Sequence, residues 1–115
     1  MSNSSRSDSN ELVSFNDLYR LDTISLFWEK LECSGGDKNA VMPAARNSHT
    51  AVIMKGNLII YGGANSESGP LPDLWEFDLS QHCWKKIICS GGKTPGAREM
   101  HSACVYSKER KNIVS

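Results

Sequence analysis

The sequence predicts an all-β fold of repeated, antiparallel four-stranded units, and three observations carry that prediction. Short segments alternate apolar and polar side chains with period two, as half-buried strands do. One passage of this strand-like pattern is written twice. No stretch combines a 3.6-residue apolar stripe with capping residues, so no helix of consequence is assigned.

The repetition is specific. Asp17-Leu18-Tyr19-Arg20-Leu21-Asp22, Trp28-Glu29-Lys30-Leu31 and Cys33-Ser34-Gly35-Gly36 recur 56 residues later as Asp73-Leu74-Trp75-Glu76-Phe77-Asp78, Trp84-Lys85-Lys86-Ile87 and Cys89-Ser90-Gly91-Gly92. Ala45-Arg46-Asn47-Ser48-His49 returns 52 residues later as Ala97-Arg98-Glu99-Met100-His101, so a loop between Gly36 and Arg46 changes length by four. A unit of about 50 residues that reads as strands implies a stacked array, each unit resting on its neighbours.

Taken in order, residues 1–11 are mostly Ser, Asn and Asp with almost nothing to bury, which predicts a disordered tail. Residues 12–115 form the repeat region. Leu18 to Asp22 and its copy Leu74 to Leu79 alternate, placing Tyr19 and Leu21, or Trp75 and Phe77, on one face. Trp28 to Leu31 and Trp84 to Ile88 are the strands that follow. Thr50 to Met54 is a nearly continuous apolar run, the pattern of an innermost strand covered on both faces. Lys55-Gly56-Asn57 supplies a tight turn to its partner, Leu58 to Tyr61. Ala64 to Pro72, with Gly69, Pro70 and Pro72, reads as loop. Labelled a to d, the strands of the complete unit (48–88) are Thr50–Met54, Leu58–Tyr61, Leu74–Leu79 and Trp84–Ile88. Residues 17–31 supply c and d of an earlier unit, and 101–115 supply a and part of b of a later one.

Composition narrows the functions. With 13 basic and 13 acidic residues the chain carries no net charge, which disfavours nucleic acid and anionic membranes as partners. No apolar run approaches the roughly 20 residues of a membrane-spanning helix, and Met1 to Asn16 has no apolar signal stretch. The expected location is cytoplasmic. Cys33, Cys83, Cys89 and Cys104 lack C-x-x-C spacing, which argues against zinc and a disulfide framework and leaves them as structural or incidental thiols, in line with the frequent burial of free Cys as a small hydrophobe. Asn3-Ser4-Ser5 fits a glycosylation sequon but has no secretory signal to deliver it.

Candidate chemistry is thin. Gly92-Lys93-Thr94 looks like the end of a phosphate-binding loop, yet Ile87 stands where that motif needs Gly, and Pro95 follows instead of a helix start. His49 and His101 occupy matching places in successive units, which favours structural roles over a metal or general-base role performed twice. His82 lies in a turn. Glu67, Asp73 and Glu76 form no pair with a claim to acid–base work. No catalytic residue, metal ligand or cofactor is expected.

The motifs together resemble those of kelch repeat proteins. Leu58-Ile59-Ile60-Tyr61-Gly62-Gly63 matches the family's Gly-Gly closing strand b, Trp75 and Tyr19 the aromatic of strand c, and Trp84 and Trp28 the Trp opening strand d. Pro43-x-x-Arg46-x-x-His49 and Pro95-x-x-Arg98-x-x-His101 match the variant with that motif before strand a. The resemblance implies blades of a β-propeller, of which such rings typically hold about four to eight. It also implies a non-catalytic interaction platform of adaptor or scaffold kind. Either the sequence is a piece of a longer protein, or it completes a ring by self-association or with partners. The alternatives are part of a kelch-propeller enzyme whose site is built from other blades, and a truncated product without independent function.

In a four-stranded antiparallel unit the d-to-a and b-to-c loops leave one end and the short turns the other. Functional contacts concentrate on longer loops held by a scaffold. The face expected to meet a protein partner is therefore bordered by Arg46, Asn65, Glu67, Ser68 and Arg98, with Lys55 at the opposite end. Arg46 and Arg98 are further expected to hold the d-to-a loops through backbone carbonyls.

Overall fold

The computed structural model describes residues 13–33, 41–106 and 112–114. The expected disordered tail over residues 1–11 and the Ser34-Gly35-Gly36 segment lie outside the described residues.

Ten antiparallel strands are described. β1 (Leu18–Leu21) pairs with β2 (Trp28–Leu31). The complete unit is a sheet in the order β3 (Thr50–Met54), β4 (Asn57–Tyr61), β7 (Leu74–Asp78), β8 (Cys83–Ile87). β9 (Cys104–Tyr106) pairs with β10 (Asn112–Val114). The all-β, four-stranded antiparallel reading is what the chain adopts, with strand ends moved by a residue. The stretch read as loop after Gly63 differs: Ala64–Asn65 (β5) and Gly69–Pro70 (β6) pair with each other, folding it into a small hairpin.

Local chemistry makes the turns. Met54 pairs with Asn57, so the β3–β4 turn has two central residues, Lys55 (φ 54°) and Gly56 (φ 79°). Positive φ at both positions is the twist a two-residue hairpin requires. The c-to-d turns are one structure built twice. Asp22 Oδ1 accepts from Ile24 N–H (2.8 Å) and Ser25 N–H (3.0 Å), as Asp78 Oδ1 does from Ser80 N–H (2.9 Å) and Gln81 N–H (3.0 Å). Leu26 (φ 63°) and His82 (φ 55°) take the same left-handed conformation behind them. The N–H groups of Ser25 and Ile24 lower the Asp22 pKa, and the Ser80 hydroxyl (2.7 Å), followed by the N–H groups of Gln81 and Ser80, lowers that of Asp78; such Asp-led turns trade a side chain for a backbone acceptor.

Register sorts the complete sheet into two faces. Ala51, Leu58, Ile60, Trp75, Phe77 and Trp84 share one, while Thr50, Val52, Ile59, Tyr61, Leu74 and Ile87 share the other. The Trp-bearing face is turned toward β1–β2 across a cleft of about 270 Å³ lined by Leu18, Leu58, Ile60 and Trp84. The opposite face is turned toward β9–β10 across a cleft of about 430 Å³ lined by Val52, Ile59, Leu74, Ala103 and Ile113. Units therefore stack face to back in chain order.

Two expectations are corrected by this stacking. The strand covered on both sides is β4, where Ile59 and Ile60 are both buried, rather than β3, the sheet's edge, where Ala51 and Ile53 are exposed. Both runs are apolar, and only topology separates them. The matched aromatic positions also differ: Trp75 and Phe77 are 4% and 0% exposed, whereas Tyr19 and Leu21 are 50% and 38% exposed. Trp75 and Phe77 have β4 beside them and Trp84 edge-on at 6.4 and 5.0 Å; β1 has β2 as its one pairing partner among the described residues.

Phe77→Ala is expected to cost about 3–5 kcal/mol, as aromatic truncations in cores do. Trp28→Ala, at a ring 67% exposed, is expected to cost less than about 1 kcal/mol. Urea denaturation of the two variants checks the ordering; equal losses would show that the first unit's face is covered.

Candidate interaction site

The loop end of the complete unit is organised by a glycine pair. Gly62 (φ 69°) and Gly63 (φ 96°) close β4 in a conformation that disfavours any side chain. Space excludes one as well. A Cβ on Gly62 would lie 2.6 Å from the Arg98 carbonyl oxygen and 2.7 Å from the His101 ring; one on Gly63 would lie 2.7 Å from the Asn47 carbonyl oxygen and 2.9 Å from His49 Cβ. The dipeptide is thus clasped between two copies of one motif, Pro43 to His49 and Pro95 to His101.

Backbone bonds follow from that approach. Gly63 N–H donates to Arg98 C=O (2.9 Å), Asn47 and Ala64 exchange N–H···O bonds (2.9 and 2.8 Å), and Met100 N–H donates to Ser48 C=O (2.9 Å). His101 packs edge-on to Tyr61 with centroids 5.3 Å apart, its Nε2 bonded to Thr50 Oγ1 at 3.0 Å. His101 thus sits in a structural setting. The His49 pKa is lowered by partial burial, then by the charges of Arg46 and His101.

Arg46 is the polar centre of this end and is 6% exposed. Its guanidinium donates to both Asp73 carboxylate oxygens (2.7 and 2.9 Å), to Gly62 C=O (3.0 Å) and to Ala44 C=O (3.1 Å). Asp73 also accepts from Trp75 Nε1–H at 2.7 Å. Burial pushes the Asp73 carboxyl up, but hydrogen bonds from Arg46 and Trp75 and the Arg46 charge outweigh it and hold the pKa at about 2. Backbone anchoring by arginine was legible in the sequence. The carboxylate was not, although Asp17 and Asp73 recur in register as Arg46 and Arg98 do.

All five residues expected at the partner face lie at this end, in different roles. Arg46 is beneath the surface with its donors engaged, so it supports the face rather than forming it. Asn65 is half-buried: Nδ2 donates to Ala45 C=O (2.9 Å) and Oδ1 accepts from Ser68 N–H (2.8 Å), shaping the tip of the β5–β6 hairpin. Glu67 and Ser68 project from that tip, exposed. Arg98 is exposed as well, its guanidinium donating to Pro95 C=O while its backbone is fixed to Gly63. Lys55 is at the far end of β3 and β4.

The described residues include no cluster of three or more His, Cys, Asp or Glu able to hold a metal. All four cysteines are free, with Cys33 and Cys83 half-buried and Cys89 and Cys104 exposed.

A family model described as the KLHDC2/KLHL20/DRC7 Kelch-repeats domain matches residues 5–114. Among curated relatives, Kelch domain-containing protein 3 of Bos taurus and of Homo sapiens are each 34% identical over 95 residues, 80% of this chain and 25% of theirs. Host cell factor homolog hcf-1 of Caenorhabditis elegans is 35% identical over 85 residues, 68% of this chain and 10% of its own. The chain thus spans a quarter or less of the length of these relatives.

Two expectations follow from the geometry. Gly63→Ala destabilises by about 2 kcal/mol or more beyond Gly56→Ala, because both carry positive-φ strain but only Gly63 meets backbone. Paired thermal melts check this. The Asp73 carboxyl titrates at about 2 in the fold against 3.8 ordinarily, so its contribution is present above about pH 4 and disappears as pH falls toward 2. The size is about 2 kcal/mol, and Asp73→Asn should remove that acid limb from a stability–pH curve.

Proposed function

Because the chain belongs to the kelch-repeat family, we propose that it is a non-catalytic protein-interaction module, of adaptor or scaffold kind, that presents its b-to-c and d-to-a loops to a protein partner in the cytoplasm. The observation that carries this reading is the contrast at the loop end. Beneath it, Arg46, Asp73, Gly62 and Gly63 are locked into one another; above it, Glu67, Ser68 and Arg98 are exposed on loops whose bases are tied down. A held base with a free polar tip is the arrangement from which binding loops are built. Among the described residues, the opposite end carries short turns.

Units that stack face to back support a second element of the proposal, self-association. Tyr19, Leu21 and Trp28 leave an apolar face at one end of the stack, and Tyr106 and Val114 leave one at the other. Copies meeting through these faces would extend the stack. Light scattering of the purified chain should report a species larger than a monomer that shrinks on Trp28→Glu; a concentration-independent monomer would dismiss this element alone.

The loop-end reading is tested in the intact polypeptide by quantitative affinity capture. Glu67→Lys is expected to weaken the captured partner by about five- to tenfold, near 1 kcal/mol, and Lys55→Glu to leave it unchanged. Sensitivity at Lys55 with indifference at Glu67 would assign the binding face to the other end.

A further inference from the structure

The loop from Cys89 to Arg98 contains a residue that the fold does not use. We propose that Thr94 is a phosphoacceptor site for a proline-directed protein kinase. The assignment stands on the loop's chemistry and exposure, and does not depend on the partner-binding reading of this end.

Four observations converge on Thr94. It precedes Pro95 in the only Ser-Pro or Thr-Pro pair of the 115-residue sequence. Both residues are exposed, in irregular backbone between β8 and β9. A residue before proline is biased to the extended conformation, the shape in which a substrate strand lies in a kinase cleft. Glycines then bracket the pair: Gly91 (φ 67°), Gly92 (φ 71°) and Gly96 (φ 84°) have nothing within 4 Å of where a Cβ would stand, so they serve backbone freedom rather than close packing.

The repeat supplies an internal control. The counterpart of Thr94 in the preceding loop is Met42, and the counterpart of Pro95 is Pro43, which is buried where Pro95 is exposed. The seam motif therefore needs neither a hydroxyl at this position nor an exposed proline after it. Thr94 lines the rim of the 430 Å³ cleft, and no hydrogen bond ties its hydroxyl among the described residues.

The neighbours suit the product as well as the acceptor. Lys93 precedes Thr94, and the Arg98 guanidinium donates only to Pro95 C=O and forms no ion pair among the described residues. Arg46, at the matching place, binds a carboxylate with two donors. A phosphate offers Arg98 the same bidentate geometry. The loop is also tied at its base, by Tyr61 O–H to Gly96 C=O (2.5 Å) and Arg98 N–H to Leu71 C=O (3.4 Å), so the added charge stays beside the guanidinium. In the transfer, Thr94 Oγ attacks the γ-phosphorus of ATP; the Oγ–P bond forms as the bond to ADP breaks, and the hydroxyl proton passes to the kinase's carboxylate base. The loop gains close to two negative charges at neutral pH.

The test uses the purified chain, a proline-directed kinase, ATP and Mg²⁺, with site mapping by mass spectrometry. The expected result is one phosphate, on Thr94, lost in Thr94→Ala and slowed about tenfold or more in Pro95→Ala. Incorporation elsewhere at equal rate, or none into the folded chain while a loose peptide of residues 88–100 is modified, overturns the site. Phosphorus NMR then reads the pairing: the second ionisation of phosphothreonine, ordinarily near about 6, should move down in the native chain and return toward that value in Arg98→Ala. Identical titrations in both chains would overturn the role given to Arg98. Partner capture is scored separately, so the failure of one reading leaves the other standing.

Discussion

The spacing around Gly62 and Gly63 is the constraint from which the rest of this structure follows. Two α-carbons without side chains let three stretches of backbone approach within hydrogen-bonding distance, and they do so from both sides at once. The Gly-Gly pair and the two arginine-histidine motifs are therefore one requirement written in three places. Arg46 belongs to it: a guanidinium 6% exposed would be a costly uncompensated charge without Asp73, and the pair is stable because Gly62 C=O and Trp75 Nε1 complete its hydrogen bonds.

Equal sequence does not mean equal environment in a stacked chain. Trp28 and Trp84 open matching strands, yet one ring is 67% exposed and the other packs on Phe77 at 5.0 Å. The cause is nearest-neighbour stacking, in which each unit supplies one half of every interface. Leu31, on the face turned toward the complete unit, is buried at 6%, although its strand neighbour Lys30 is exposed. Burial in this architecture is a property of the seam between units as much as of the unit.

The sequence made the strands, the turns and the seam motif legible because each is local: alternation, left-handed turn positions and recurring glycine, arginine and histidine. What stayed hidden is pairing at a distance. Nothing in the spacing of Arg46 and Asp73 announces a bidentate ion pair. Nor does the run Thr50 to Met54 differ from Leu58 to Tyr61 in a way that reveals which is the sheet edge. The backbone carbonyls that hold Arg46 could be expected from its place in the loop, but the carboxylate that completes its burial could not. The β5–β6 hairpin escaped for a different reason: its ladder rests on one asparagine bonded at both ends, beside glycine and proline that signal loop.

These bonds divide the loop end into committed and uncommitted chemistry. Leu71 N–H to Gly63 C=O and Asn65 Nδ2 to Ala45 C=O close the b-to-c loop at its base, and Arg98 closes the d-to-a loop against Gly63. Closing a flexible segment costs entropy that grows only slowly with its length, so the tips can lengthen, shorten or change composition while the seam keeps its geometry. The four-residue difference between the two d-to-a loops is that tolerance within a single chain. Selection on what the protein recognises would then act on Glu67, Ser68 and the Lys93–Pro95 stretch, where substitution leaves the fold alone, and selection on folding would act on Arg46, Asp73 and the glycine pair, where it does not.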